Sequence, residues 1–177
     1  MPTLSIEDVK NKIRTIKDFP KKGIIFRDIT TGLKDAQALQ YMIDYMSSQF
    51  KDEKIDYIVG AESRGFIFGT AMAYKMNCGF IPVRKPNKLP AATISEPYEL
   101  EYGTDIIEIH SDAIEKGAKV LFVDDLLATG GTAKAACNLI KKAGGELVGA
   151  AFLIELKDLN GRKNLQDCGK VISMLQY

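Results

Sequence analysis

Residues 119–132 hold the densest group of chemically competent side chains in the sequence, in the order K-V-L-F-V-D-D-L-L-A-T-G-G-T. Val120 to Val123 form a short apolar run that predicts a buried strand, and the carboxylates of Asp124 and Asp125 follow it directly. A glycine-rich turn and a helical pattern come next. Glycines let backbone N–H groups converge on an anion, and a helix N-terminus adds partial positive charge. The stretch therefore predicts a phosphate site beside two acidic side chains.

The turn supplies its donors through backbone amides and two hydroxyls, and its residues are Ala128, Thr129, Gly130, Gly131 and Thr132. The acidic pair suits the other end of a sugar phosphate, because a carboxylate at a strand end can accept hydrogen bonds from a ribose 2′,3′-diol. We therefore predict that the ligand contains ribose 5-phosphate. The sequence has neither a G-K-[ST] after the glycines nor a G-x-G-x-x-G, which disfavours a triphosphate P-loop and a dinucleotide fold. A solvated strand–turn–helix junction is the alternative.

The flanking patterns predict the elements that position this turn. Strands are predicted at 55–59, 80–83, 106–109, 120–123, 147–156 and 171–175, and helices at 66–76 and 133–143. Ser5 with Asp8 predicts the start of a first helix whose apolar spacing runs to Ile16, and Asp35 predicts the cap of another. Alternating strands and helices predict an α/β fold with a mostly parallel central sheet flanked by helices. Ligands of such sheets bind at the carboxyl ends of the strands.

Composition limits the class of protein. The 177 residues, 46% of them apolar, are enough for one compact domain, predicted to span residues 1–177. Lys and Arg number 24 against 23 Asp and Glu, and the net charge of +1 gives no basic field for nucleic acid. Three widely spaced cysteines without C-x-x-C argue against a disulfide framework or zinc site. With no signal-like N-terminus and no membrane-length apolar run, we expect a cytoplasmic protein without a membrane partner.

Several separated motifs resemble those of the type I phosphoribosyltransferases. They are F-R-D-I-T at 26–30, E-S-R-G-F-I-F-G at 62–69, K-L-P at 88–90, E-Y-G at 101–103 and D-D-L-L-A-T-G-G-T at 124–132. The resemblance covers nearly the whole chain. It implies the type I phosphoribosyltransferase fold with a flexible hood loop at about residues 86–103. It further implies transfer of the 5-phosphoribosyl group from 5-phosphoribosyl 1-pyrophosphate to adenine, which yields AMP and pyrophosphate in purine salvage.

The same resemblance implies roles for residues that spacing alone does not assign. Adenine binding is implied for Ile25, Phe26 and Arg27, with the aromatic ring stacked on the base. Pyrophosphate binding is implied for Ser63, Arg64, Arg84, Lys85 and Lys88. Because the family is dimeric, we expect a homodimer in which a second subunit can supply some of these cations.

Catalytic roles are implied for Arg64, Glu101 and Tyr102, with Glu101 handling the purine proton and Tyr102 packing over the site. The implied cofactor is Mg²⁺, carried by the substrate with no direct metal ligand from the protein. A non-proline cis peptide is expected at Glu62–Ser63.

Alternatives remain open from the sequence. Arg64 can simply cap or cover its helix, and the hood region can be a plain β-hairpin extension. Among functions, the same site suits an enzyme for hypoxanthine, guanine, xanthine or orotate, a ligand-sensing regulator, or a ribose-phosphate-binding protein without catalysis. A regulator would normally need a DNA-binding module, and no basic recognition helix precedes the first sheet strand.

Overall fold

The computed structural model describes residues 4–99 and 103–177. It divides into two compact units, Met1–Tyr45 and Met46–Tyr177. The first unit contains, in chain order, α1 (Ile6–Asn11), β1 (Arg14–Lys17), β2 (Ile25–Asp28), α2 (Thr30–Leu33) and most of α3 (Ala36–Ser48), whose last residues belong to the second unit. Strands β1 and β2 pair in antiparallel orientation.

Helix α1 begins as the sequence predicts but ends earlier. The Ser5 N–H donates to the Asp8 carboxylate at 2.9 Å and the Asp8 N–H donates to the Ser5 hydroxyl at 3.2 Å, which completes a capping box. Ile16, assigned to this helix by its spacing, instead lies in β1 opposite Phe26. That prediction was wrong because pairing with a distant strand outweighs a local helical periodicity. At α3, the Ala38 N–H donates to the Asp35 carboxylate at 2.9 Å, which confirms the predicted cap.

Asp28 organises the corner between β2 and α2. Its carboxylate accepts hydrogen bonds from the Thr30 hydroxyl at 2.7 Å, the Thr30 N–H at 2.9 Å and Nε of Arg14 at 3.0 Å. The hydrogen bond from the Thr30 side chain, followed by that from Arg14, lowers the pKa of Asp28 to about 2. Asp28 is only 8% exposed. Its hydrogen bonds fix the backbone of the corner immediately after Phe26 and Arg27.

The second unit holds the remaining elements. In chain order they are β3 (Tyr57–Ala61), α4 (Gly65–Met76), β4 (Gly79–Val83), β5 (Thr93–Glu99), β6 (Thr104–His110), β7 (Lys119–Leu127), α5 (Gly131–Lys142), β8 (Glu146–Glu155), two short 3₁₀ helices (Lys157–Leu159 and Gly161–Leu165) and β9 (Lys170–Gln176). Five strands form a parallel sheet in the order β4-β3-β7-β8-β9. The predicted α/β fold with a mostly parallel, helix-flanked sheet is confirmed.

The centre of this sheet is apolar on both faces. Val120 to Val123 are fully buried, and the rings of Phe122 and Phe152 meet edge to face at 6.0 Å between centroids. Continuous apolar runs are typical of parallel strands covered on both sides. Strand β7 extends to Leu127, so the two aspartates lie within the strand rather than after it, because β8 continues to pair with β7 as far as Glu155.

Part of the predicted hood region is an antiparallel hairpin. Strands β5 and β6 pair from Thr93 opposite His110 to Glu99 opposite Thr104. The hairpin is joined to α5 by a hydrogen bond of 2.9 Å from the Asn138 amide to the Glu96 carboxylate. The hairpin is compatible with both a plain extension and a hood loop, and residues 100–102 lie outside the described residues. Among the helices described, none has the length and apolar character needed to traverse a membrane.

Candidate active site

A cavity of about 510 Å³ opens at the carboxyl edge of the parallel sheet. Its wall combines the ends of β3 and β7, the corner after β3, the turn before α5 and part of the hairpin. The predicted site residues in this wall are Ser63, Arg64, Lys85, Asp124, Asp125, Ala128, Thr129, Gly130, Gly131 and Thr132. The structure thus brings together all the residues predicted for ribose and phosphate, and three of those predicted for pyrophosphate.

Two cations predicted for pyrophosphate, Arg84 and Lys88, are not part of this wall. The Arg84 side chain donates from Nε to Glu62 at 3.1 Å and from its terminal nitrogen to the Lys88 carbonyl at 3.2 Å. Arg84 also exchanges backbone hydrogen bonds with Glu108 on β6. These contacts hold Arg84 between the end of β4 and the hairpin.

The residues predicted for adenine belong to the first unit. Ile25 is half exposed, and the Phe26 ring meets the Phe19 ring edge to face at 5.2 Å between centroids. Arg27 donates to the Thr15 hydroxyl at 2.6 Å across the β1–β2 pair. This strand therefore presents apolar surface beside an arginine. The predicted catalytic residues Glu101 and Tyr102 lie outside the described residues.

The corner after β3 presents Ser63 and Arg64 to the cavity. The Glu62–Ser63 peptide is cis, which confirms that expectation. Nε of Arg64 lies 2.8 Å from the Asp125 carboxylate, across the cavity wall from its own strand. Arg64 occupies the N-cap position of α4 but makes no side-chain hydrogen bond that caps the helix. The guanidinium instead joins two strand ends of the sheet.

The acidic pair lies in a strongly desolvating environment. Burial raises the pKa of Asp124 well above its usual value, and the neighbouring charge of Asp125 raises it further. Burial also raises the pKa of Asp125, against the opposing effect of the Arg64 guanidinium. One Asp124 oxygen accepts a hydrogen bond from the Asp125 N–H at 2.8 Å. The same oxygen lies so close to Gly65 that a Cβ added to this glycine would be 2.9 Å from it. Both carboxylates are acceptors that lack full hydration, so each is stabilised by a hydrogen-bond donor on a ligand.

Lys85 reaches the cavity from the end of β4. Its ammonium group donates to the Tyr98 hydroxyl at 2.8 Å and pairs with the Asp105 carboxylate. The Tyr98 hydroxyl donates to the same carboxylate at 3.1 Å. Burial lowers the pKa of Lys85, but the hydrogen bonds with Asp105 and Tyr98 outweigh it, and the net pKa is raised. Lys85 is therefore charged at neutral pH and suited to an anion. Motif matching did not identify Tyr98 or Asp105.

The phosphate turn, residues 128–132, has the backbone geometry of an anion site. Gly130 has a φ of +84°, a left-handed conformation that glycine adopts without strain, and α5 begins at the next residue. The first N–H groups of a helix have no partner within it, so the amides at the start of α5 are available to a ligand. The turn lines the cavity throughout.

A second segment, which was not among the predicted site residues, lies behind the phosphate turn. This supporting segment, residues 157–165, contains the two 3₁₀ helices. The Asn164 amide donates to the Thr129 carbonyl at 2.8 Å, although the two residues are 35 positions apart in the chain. A Cβ on Gly161 would lie 2.2 Å from the Ala128 carbonyl oxygen. The Asn160–Gly161 pair signals a turn, but nothing local indicates what that turn contacts.

The parallel sheet, the cis corner and the phosphate turn together define a class of transferase. The family of the phosphoribosyl transferase domain matches residues 30–174, and the chain belongs to this family. The predicted type I fold agrees with solved structures of the family.

Similar proteins narrow the class further. The adenine phosphoribosyltransferase of Brachyspira hyodysenteriae is 62% identical over 159 residues, which are 90% of this chain and 94% of that protein. A crystal structure of adenine phosphoribosyltransferase from Thermoanaerobacter pseudethanolicus gives a TM-score of 0.95 at 50% identity and covers 98% of this chain and 100% of its own. The structure of the Saccharomyces cerevisiae adenine phosphoribosyltransferase, complexed with an imino-altritol bisphosphate and adenine, gives a TM-score of 0.90 at 39% identity. The match covers 96% of this chain and 98% of that chain.

Proposed function

We propose that the chain is an adenine phosphoribosyltransferase, a pentosyltransferase that converts adenine and 5-phosphoribosyl 1-pyrophosphate to AMP and pyrophosphate in purine salvage. The observation that carries this proposal is the 510 Å³ cavity, in which a desolvated acid pair and an amide-lined turn adjoin two cations. The adenine phosphoribosyltransferases to which the chain is similar support adenine as the acceptor. We further propose that it acts as a single domain in the cytoplasm.

The donor sugar is held at both ends. The amides of the phosphate turn, with the hydroxyls of Thr129 and Thr132, bind the 5-phosphate. Asp124 and Asp125 accept hydrogen bonds from the ribose diol. Displacement at an anomeric carbon passes through an oxocarbenium-like state, so nearby carboxylates also stabilise the positive charge that develops there. Holding sugar and base in line supplies much of the rate through positioning.

The leaving pyrophosphate is stabilised by two cations and a hydroxyl group. Ser63, Arg64 and Lys85 lie in the cavity wall and suit its oxygens. Mg²⁺, held by the pyrophosphate oxygens as the hard ligands that it prefers, would supply charge neutralisation on the leaving group. The carboxylates of Asp124 and Asp125, in the same wall, are compatible with a hard cation beside the sugar.

The remaining proposed roles concern the base and the lid. Ile25, Phe26 and Arg27 bind adenine, with the Phe26 ring stacked on the purine. Glu101 handles the proton at the purine and Tyr102 packs over the bound substrates. The hairpin of β5 and β6 is the base of a lid, the hood loop, that excludes water from the activated sugar.

The activity is tested by mixing the protein with 5-phosphoribosyl 1-pyrophosphate, Mg²⁺ and one free base at a time. We expect AMP and pyrophosphate with adenine, at least about 100-fold less product with hypoxanthine, guanine, xanthine or orotate, and loss of activity when EDTA removes the metal. A preference for another base would contradict the adenine assignment. Thermal stabilisation by ligand without pyrophosphate release would instead indicate a binding protein or regulator.

Arg84 and Lys88 suit the site of a partner subunit, since neither lines the cavity of its own chain. We propose a homodimer in which each subunit supplies these cations to the other. Lys88→Ala and the pair Asp124→Asn with Asp125→Asn should each be inactive alone. When the two variants are co-expressed, about half of the dimers should be heterodimers, and one of the two sites in each heterodimer is intact. The mixture should therefore recover up to about a quarter of the parent activity. A monomer in sedimentation velocity, or no recovery on mixing, would count against the shared site.

A further inference from the structure

We infer that Asn164 is a positioning residue for the phosphate turn and that it acts from outside the cavity. Its amide donates to the Thr129 carbonyl at 2.8 Å. Asn164 is not part of the wall of the 510 Å³ cavity but lines a second cavity, of about 520 Å³, that also reaches Thr129 and Gly131. The inference rests on the proposed role of residues 128–132 in binding a 5-phosphate.

The hydrogen bond of Asn164 sets the direction of a phosphate-binding N–H. In a planar trans peptide, the carbonyl and the N–H point in opposite directions. The Thr129 carbonyl is held toward Asn164, so the N–H of Gly130, in the same peptide, points away from Asn164. That direction leads toward the cavity, because Gly130 lines the cavity wall and Asn164 does not.

Gly161 packs closely against the preceding peptide. Its Cα approaches the Ala128 carbonyl so closely that an added Cβ would be 2.2 Å from the oxygen. Since this carbonyl faces the supporting segment, the N–H of Thr129 points away from it. The supporting segment thus contacts two successive carbonyls of the turn, and amides that are already directed at a ligand do not have to reorient when the anion arrives.

The supporting segment is itself held to the end of the sheet. Arg162 donates from two nitrogens to both oxygens of Glu155, at 2.7 and 2.8 Å, and also reaches the Val171 carbonyl at 2.8 Å and the Ser173 hydroxyl at 2.9 Å. Glu155 is only 5% exposed, and a two-pronged pair of this kind restricts orientation as well as distance. The anchor explains how an exposed asparagine can impose a direction on the turn.

The test compares Asn164 variants by calorimetry with ribose 5-phosphate and by steady-state kinetics. Asn164→Ala should weaken the binding of ribose 5-phosphate about five- to tenfold. It should raise KM for 5-phosphoribosyl 1-pyrophosphate by a similar factor and leave KM for adenine unchanged. Asn164→Asp, equal in size but unable to donate, should weaken it at least as much. Asn164→Gln, which keeps the donor, should stay within about twofold of the parent. Lys163→Ala, at a neighbouring exposed position, is the matched control.

Each outcome separates this role from a purely structural one. A drop in melting temperature with both KM values unchanged would overturn the inference, as would equal losses in the Lys163→Ala control. If the parent protein makes AMP and Asn164→Ala binds ribose 5-phosphate equally well, only the inference fails. If the parent neither binds ribose 5-phosphate nor makes AMP, the proposed function fails and the inference fails with it.

Discussion

Replacing both acids of the cavity, Asp124→Asn with Asp125→Asn, should remove most of the affinity for 5-phosphoribosyl 1-pyrophosphate while making the fold more heat-resistant. A neutral amide is a weaker acceptor for the ribose diol, and hydrogen bonds to charged groups contribute about 1.5–3 kcal/mol each. Two such losses correspond to at least about 100-fold in affinity. Calorimetric titration measures the loss, and Asp112→Asn, at an exposed aspartate, is the control.

The expected gain in stability follows from the pKa of the acid pair. Burial raises the pKa of Asp124 above the value near 3.8 that it has in the unfolded chain, and raises the pKa of Asp125 to a lesser degree. A group with a raised pKa favours the folded state when protonated, so its contribution is lost as pH rises through the folded pKa. At neutral pH the parent protein carries this cost and the asparagine variant does not.

The melting temperature should therefore rise in the variant at pH 7, by about 2–4 °C for each kcal/mol relieved. The difference should shrink as pH falls through the folded pKa values, and it should vanish only below the unfolded value near 3.8, where the carboxyl groups are protonated in both states. Asp124→Asn alone should give a larger increase in melting temperature than Asp125→Asn alone, because the Asp125 carboxylate is already paired with Arg64 at 2.8 Å. Unchanged binding of 5-phosphoribosyl 1-pyrophosphate would reject the diol role, and a lower melting temperature would reject the electrostatic account.

Removing the cavity arginine, Arg64→Ala, should reduce kcat by about 10²- to 10³-fold, the effect typical of losing one preorganised donor to a developing charge. A guanidinium has five N–H donors, so Arg64 can retain Asp125 and bind pyrophosphate oxygens together. Arg64→Lys keeps the charge but not the planar set of N–H donors, and we expect an intermediate reduction in kcat of about tenfold. Burst kinetics with rapid quench separate the chemical step from product release.

The same variant should change the acid limb of the pH–rate profile. The Arg64 guanidinium opposes the increase in the pKa of Asp125, so its removal should raise that pKa further and move the acid limb to higher pH. The Arg64→Lys variant should show a smaller shift. An Arg64→Ala enzyme with kcat within fivefold of the parent and an unmoved profile would show that Arg64 only links β3 to β7.

Features encoded in short stretches were predictable from the sequence. The apolar run at Val120 to Val123 predicted a buried parallel strand, and Ser5 with Asp8 predicted a capping box, because strand burial and helix capping depend on neighbours a few residues apart. The glycine turn before α5 was predictable for the same reason. Its left-handed Gly130 and the helix start at Gly131 are local consequences of residue type.

Contacts between distant residues were decided only by the tertiary structure. The pairing of Arg64 with Asp125, the grouping of Lys85 with Tyr98 and Asp105, and the bond from Asn164 to Thr129 each join different elements. Such contacts depend on which strands become neighbours and in what register, which no local pattern encodes. For the same reason Ile16 pairs in a strand despite its helical spacing. The sequence by itself thus determined the phosphate turn and the class of fold, and the folded sheet decided which side chains surround that turn.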